Sequence, residues 1–139
     1  MKRILVLHRE DALLQAYEDI LKAFGYEVFA TNNHYKFLLY AGELSSDLLI
    51  FDAEDEIDID FIRALKKQKK AQNSPLLLII KKETKINLLP EIKYFLFKPF
   101  EISEFLKILH QEEKEKQNLS NFFYVENKQK AQDLPNILG

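Results

Sequence analysis

Short apolar runs recur along the chain: ILVL (4–7), YEVFA (26–30), LLIF (48–51), LLLII (76–80) and YFLF (94–97). All but the second are unbroken, the pattern of strands covered on both faces. Between them, apolar positions fall at steps of three and four. Leu14, Tyr17, Leu21 and Phe24 form one stripe over 11–24, with Asp11 placed as its N-cap and Gly25 as the residue that ends it. Phe37, Leu38 and Ala41 mark the inner face of a helix over 34–44. Phe61, Ile62 and Leu65 do the same over 60–71, with the wet stretch KKQKK (66–70) on the outer face. Ile102, Phe105, Leu106 and Leu109 mark a helix over 101–116. Between Lys82 and Lys93 only a short helix through Ile86, Leu88 and Leu89 fits, because Pro90 cuts it off.

This alternation predicts an α/β fold: a doubly wound, five-stranded parallel sheet with right-handed crossovers. In such sheets ligands and chemistry gather at the carboxyl ends of the strands. The residues to read are therefore His8 and Arg9 after the first run and Asp52 after the third. Lys81 and Lys82 follow the fourth, and Lys98-Pro99-Phe100 the fifth.

Composition narrows the chemistry. The chain has 139 residues, 47% of them hydrophobic and 30% charged, enough for one domain with a real core. That domain is expected over 1–116, with 117–139 as a C-terminal extension, partly packed or linker-like. A net charge of −2 gives no reason to expect nucleic acid or an anionic membrane as partner. The absence of Cys excludes disulfides, zinc–thiolate sites and thiol catalysis. The opening MKRILVLHRED is too short in apolar residues for a signal peptide or a membrane span, so a cytoplasmic protein is expected. Three glycines leave no Gly-rich phosphate loop. His8, His34 and His110 are not spaced as metal ligands, and no nucleophile–base–acid set appears, so no catalytic residue is assigned. Phe122, Phe123, Tyr124 and Val125 form an apolar cluster in the extension that is expected to pack on the domain or on a second copy of the chain.

DLLIFD, followed later by YFLFKPF, resembles the receiver domain of bacterial response regulators over roughly residues 2–115. The resemblance implies a flavodoxin-like strand order of 2-1-3-4-5. It implies a phosphoacceptor position at Asp52, a phosphoryl contact at Lys98 and a cis bond from Lys98 to Pro99. Phe95 falls at the aromatic switch position. A histidine kinase or an output protein is the implied partner. Transfer of a phosphoryl group to a carboxylate needs a cation to neutralise the crowded oxygens and a fixed lysine for the moving charge.

The chain departs from that pattern where the metal should sit. His8 and Arg9 stand in place of an acidic pair, and arginine cannot bind Mg²⁺. The switch hydroxyl maps to Ile80 or Lys81, and the fourth helix is shortened. The expected function is therefore protein–protein signalling without Mg²⁺-dependent phosphorylation, with no cofactor and with Arg9 and Lys98 both beside Asp52. In the alternative, Asp52 is phosphorylated with Mg²⁺; the acids left nearby are Glu10, Asp11 and Glu54, the first two lying two residues too late. A lower alternative is an unrelated doubly wound enzyme. The alternating acids Asp52, Glu54, Glu56, Asp58 and Asp60 imitate a calcium loop, but Ile57 and Arg63 fall where its glycine and closing glutamate belong. An acidic loop running into a helix start is the simpler reading.

Overall fold

The computed structural model describes residues 2–54, 59–82 and 90–116. The chain divides into two compact units, Met1–Phe100 and Glu101–Gly139. The first contains β1 (Arg3–His8), α1 (Asp11–Ala23), β2 (Glu27–Thr31), α2 (His34–Glu43), β3 (Leu48–Glu54), α3 (Ile59–Lys67), a 3₁₀ turn (Lys69–Ala71), β4 (Leu76–Lys81) and β5 (Tyr94–Lys98). All pairings are parallel and the strand order is β2-β1-β3-β4-β5, as the resemblance implied.

Side chains alternate across this sheet, so each strand feeds two cores. On one face Leu5, Leu7, Leu49, Phe51, Leu76, Leu78 and Ile80 pack with Phe37 and Ala41 of α2 and with Phe61, Ile62 and Leu65 of α3. On the other, Ile4, Val6, Leu48 and Ile50 are buried, and α1 packs over β1 and β2 with Leu14, Tyr17 and Leu21 buried. Full burial of one such aliphatic side chain stabilises by about 1.5–3 kcal/mol. His8 and Asp52 continue the second face, where apolar residues give way to polar ones at the carboxyl ends of β1 and β3.

Several helix ends differ from the sequence expectation. Asp11 is the first residue of α1; its N-cap is Glu10, which makes no side-chain cap bond. The Asp11 carboxylate instead accepts from Asn32 at 2.7 Å. Phe24 is 59% exposed because α1 stops at Ala23. Gly25 ends the helix as expected, at φ 88°, a left-handed conformation that suits glycine. Its N–H bonds the Lys22 carbonyl at 2.9 Å and the Tyr26 N–H bonds the Leu21 carbonyl at 3.2 Å. The helix α2 is capped by Asn33, whose side chain accepts from the Lys36 N–H at 2.9 Å. The third helix is shorter than expected, with a 3₁₀ turn following it.

The second unit opens with a helix, α4, over residues 102–116. Phe105 and Leu109 are buried at helical spacing, whereas Ile102, expected inside, is half exposed. No described helix is long and apolar enough to cross a membrane. The expected short fourth helix of the family pattern, the acidic loop 55–58 and the extension with its aromatic cluster lie outside the described residues.

Candidate functional site

The site follows from strand alternation and register. His8 and Asp52 are directly paired across the β1–β3 ladder, so both side chains rise from the same face. Leu96 and Lys98 of β5 share that face, because Ile79 pairs with Leu96 and Ile79 is next to Asp52 in the β3–β4 register. The β3–β4 register shifts between Asp52 and Glu54, so regular pairing breaks just beyond the carboxylate. Asp52 and Lys98 are both strand residues rather than the first residues of loops, which holds their backbones rigidly.

Among the described residues, the side chains of His8, Tyr17 and Lys98 converge on Asp52. Lys98 Nζ donates to Asp52 Oδ1 as hydrogen bond and ion pair. Tyr17, reaching down from α1, donates its hydroxyl hydrogen to Oδ2 at 2.9 Å. His8 Nε2 lies 3.1 Å from the same oxygen, close enough for an ion pair although off the line of a good hydrogen bond. On its other side, His8 Nδ1 accepts the Glu10 backbone N–H at 2.9 Å. An acceptor nitrogen carries no proton, so the neutral ring holds its proton on Nε2, facing the carboxylate. The rings of His8 and Tyr17 are 5.9 Å apart and tilted. The Asp52 side chain is 1% exposed and that of His8 is wholly buried.

Arg9 does not take part. It is exposed and makes no ion pair with Asp52, against the expectation of a permanent guanidinium at the site. Alternation is the cause: His8 already occupies the site face, and the next residue leaves the strand. Glu10 contributes its N–H, while its side chain is exposed. Lys81 ends β4 directly beside Lys98 in register and is exposed; Ile80 is buried on the opposite face. Phe95 is half-buried against the α2–α3 core. The Lys98–Pro99 peptide bond is cis. The Glu54 side chain lies outside the described residues. His34 packs edge-on against Phe51 and Phe61, with ring centroids 5.6 and 4.7 Å away, on the face of the sheet opposite His8, and His110 is exposed on α4.

Tyr17 was legible only as part of an apolar stripe. A buried tyrosine needs a partner for its hydroxyl, and a helix starting just after β1 lies over the carboxyl end of that strand. Those two facts together call for a polar partner near the strand ends, but the choice of Asp52 depends on how α1 crosses the sheet.

Mg²⁺ wants an octahedron of oxygens, mostly carboxylate and water. Around Asp52 the described groups are an imidazole, a phenol and an ammonium, all presenting hydrogens to the carboxylate. No group of three or more His, Asp or Glu side chains suited to a metal occurs among the described residues. The described residues do not fit Mg²⁺.

No protein-family model matches the chain, and no curated protein matches it either. Solved structures do. A response regulator receiver modulated diguanylate cyclase from Pelobacter carbinolicus is 24% identical, with a TM-score of 0.73 over 87% of this chain and 99% of that one. The chemotaxis response regulator CheY4 of Vibrio cholerae is 22% identical, with a TM-score of 0.67 over 81% and 98%. The receiver domain of a sensor histidine kinase from Pseudomonas aeruginosa, which holds a magnesium ion in its active-site cleft, is 17% identical, with a TM-score of 0.62 over 79% and 95%. The structural neighbours are CheY-like receiver domains, and the chain has the receiver fold.

Proposed function

We propose that this chain is an atypical receiver module that signals by protein–protein contact, with Asp52 held in a fixed polar cage rather than cycling through phosphorylation. One observation carries the reading: both carboxylate oxygens of Asp52 are engaged by the protein's own donors, and the side chain is sealed from solvent. A phosphoryl donor must reach one of those oxygens, and its negative charge must be met by a cation. Here Lys98 already neutralises the carboxylate and Tyr17 fills the other oxygen. The site's role is then to fix geometry, since a buried pair need not add net stability.

The partners this fold points to are a histidine kinase or an output protein in the cytoplasm, or a second copy of the chain. Among the structural neighbours, one receiver modulates a diguanylate cyclase and another belongs to a sensor histidine kinase. Binding, not catalysis, is the work assigned to this chain.

The second reading, phosphorylation on Asp52, is favoured by the Lys98 contact alone. Incubation with acetyl phosphate and Mg²⁺, followed by intact mass, separates the two. No added phosphoryl group and no Mg²⁺-dependent NMR shifts at millimolar metal are expected. One phosphoryl group mapped to Asp52 overturns the proposal.

A further inference from the structure

We propose that His8 is a proton-operated latch between the Asp52 cage and the start of α1. The geometry at its two nitrogens sets up the device. Nε2 faces Asp52 Oδ2 at 3.1 Å, and Nδ1 accepts the Glu10 N–H at 2.9 Å. A neutral imidazole can serve both contacts, since it has one donor nitrogen and one acceptor nitrogen. A second proton has only Nδ1 to go to. There it meets the Glu10 N–H, and two donors cannot share that 2.9 Å contact. Charging His8 therefore breaks its bond to Glu10 and strengthens its attraction to Asp52.

Glu10 is the residue that launches α1: it is the N-cap, and its carbonyl accepts the Leu14 N–H at 3.0 Å. Its side chain makes no cap bond, so its own N–H bond to His8 ties the helix start to β1. The same helix carries Tyr17, which holds Oδ2. Proton uptake thus trades a backbone tether at the head of α1 for a charged contact within the cage. A small change at one nitrogen is passed to the loop and helix that border the site.

The charged and titratable groups around the ring come from each packed element. Asp52 on β3 places a carboxylate beside the ring, and Lys98 on β5 places an ammonium on that carboxylate. Tyr17 on α1 meets Asp52 as a neutral donor. Lys81 ends β4 beside Lys98, and Arg9 and Glu10 flank the loop with exposed side chains. The inference does not depend on the chain's signalling role, since it concerns one ring and one amide.

The test uses the full chain, ¹⁵N-labelled, followed by NMR from about pH 8 to pH 5, the range in which histidine ordinarily titrates. The Glu10 amide is expected to shift and to lose hydrogen-exchange protection in step with protonation of the His8 ring nitrogens. The exchange of His34 and His110 neighbours serves as an internal reference. His8→Gln, whose side-chain oxygen can still accept from Glu10 but cannot titrate, is expected to abolish the transition at Glu10. A Glu10 amide that stays unchanged while His8 protonates overturns the proposal. So does a His8 ring that stays neutral down to pH 5, and so does a Glu10 transition that persists in folded His8→Gln. If that variant does not fold, the wild-type titration decides alone.

Discussion

The Tyr17 hydroxyl donates to Asp52 Oδ2 at 2.9 Å, joining the buried face of α1 to the end of β3 across a gap of 35 residues in sequence. The bond is buried and its acceptor is a carboxylate, the circumstance in which a hydrogen bond contributes most. Tyr17→Phe keeps the ring and removes only the donor. Its expected cost is about 1.5–3 kcal/mol in urea unfolding, with unchanged slope. A loss below a few tenths of a kcal/mol would mean that water or another donor takes the place of the hydroxyl.

Lys98 is the cation of the cage, and removing it leaves a carboxylate sealed from solvent with His8 and Tyr17 beside it. Breaking one side of a buried pair typically costs about 3–5 kcal/mol. Lys98→Met is expected to fall at the lower end of that range, because the Lys98 side chain is 22% exposed. Lys98→Met combined with Asp52→Asn is expected to cost less than the sum of the two single changes, since the uncompensated charge is gone. Strict additivity in a double-mutant cycle by chemical denaturation would show that the two side chains are not coupled.

Arg9 shows where sequence reading reached its limit. The five strands follow from apolar runs, because a strand buried on both faces leaves an unbroken signature, whereas their order and the Asp52 and Lys98 positions come from the resemblance to receiver domains. Which of two adjacent residues, His8 or Arg9, faces the carboxylate depends on where β1 ends to within one residue, and a slip of one reverses the face. The contribution of Tyr17 depends on the angle at which α1 crosses the sheet, which no local pattern encodes. Arg9→Ala is accordingly expected to change stability by no more than about 0.5 kcal/mol, as for an exposed side chain outside the cage. Destabilisation comparable to that of Tyr17→Phe in the same urea assay would return Arg9 to the site.

Lys66 offers a pH-dependent check far from the cage. Its Nζ donates to the carbonyls of Ala71, at 2.9 Å, and Ser74, tying α3 to the 3₁₀ turn before β4. Burial pushes its pKa below the ordinary value of 10.5, with Glu91 acting in the opposite direction. The unfolded chain therefore holds the Lys66 proton more tightly than the folded one. Stability from this group is fully present above 10.5 and is lost as pH falls through the lower folded value. Around neutral pH the ammonium sits partly buried at a cost that its two carbonyl bonds more than offset. Lys66→Met removes both the cost and the bonds, and is expected to destabilise by about 1 kcal/mol at pH 7. The gap between wild type and Lys66→Met should widen as pH rises toward 10.5, because only the wild type sheds the cost of the buried charge. Parallel thermal or urea unfolding of the two proteins across that window measures the gap directly, and a constant or narrowing gap would show that Lys66 is held in the fold without loss of proton affinity.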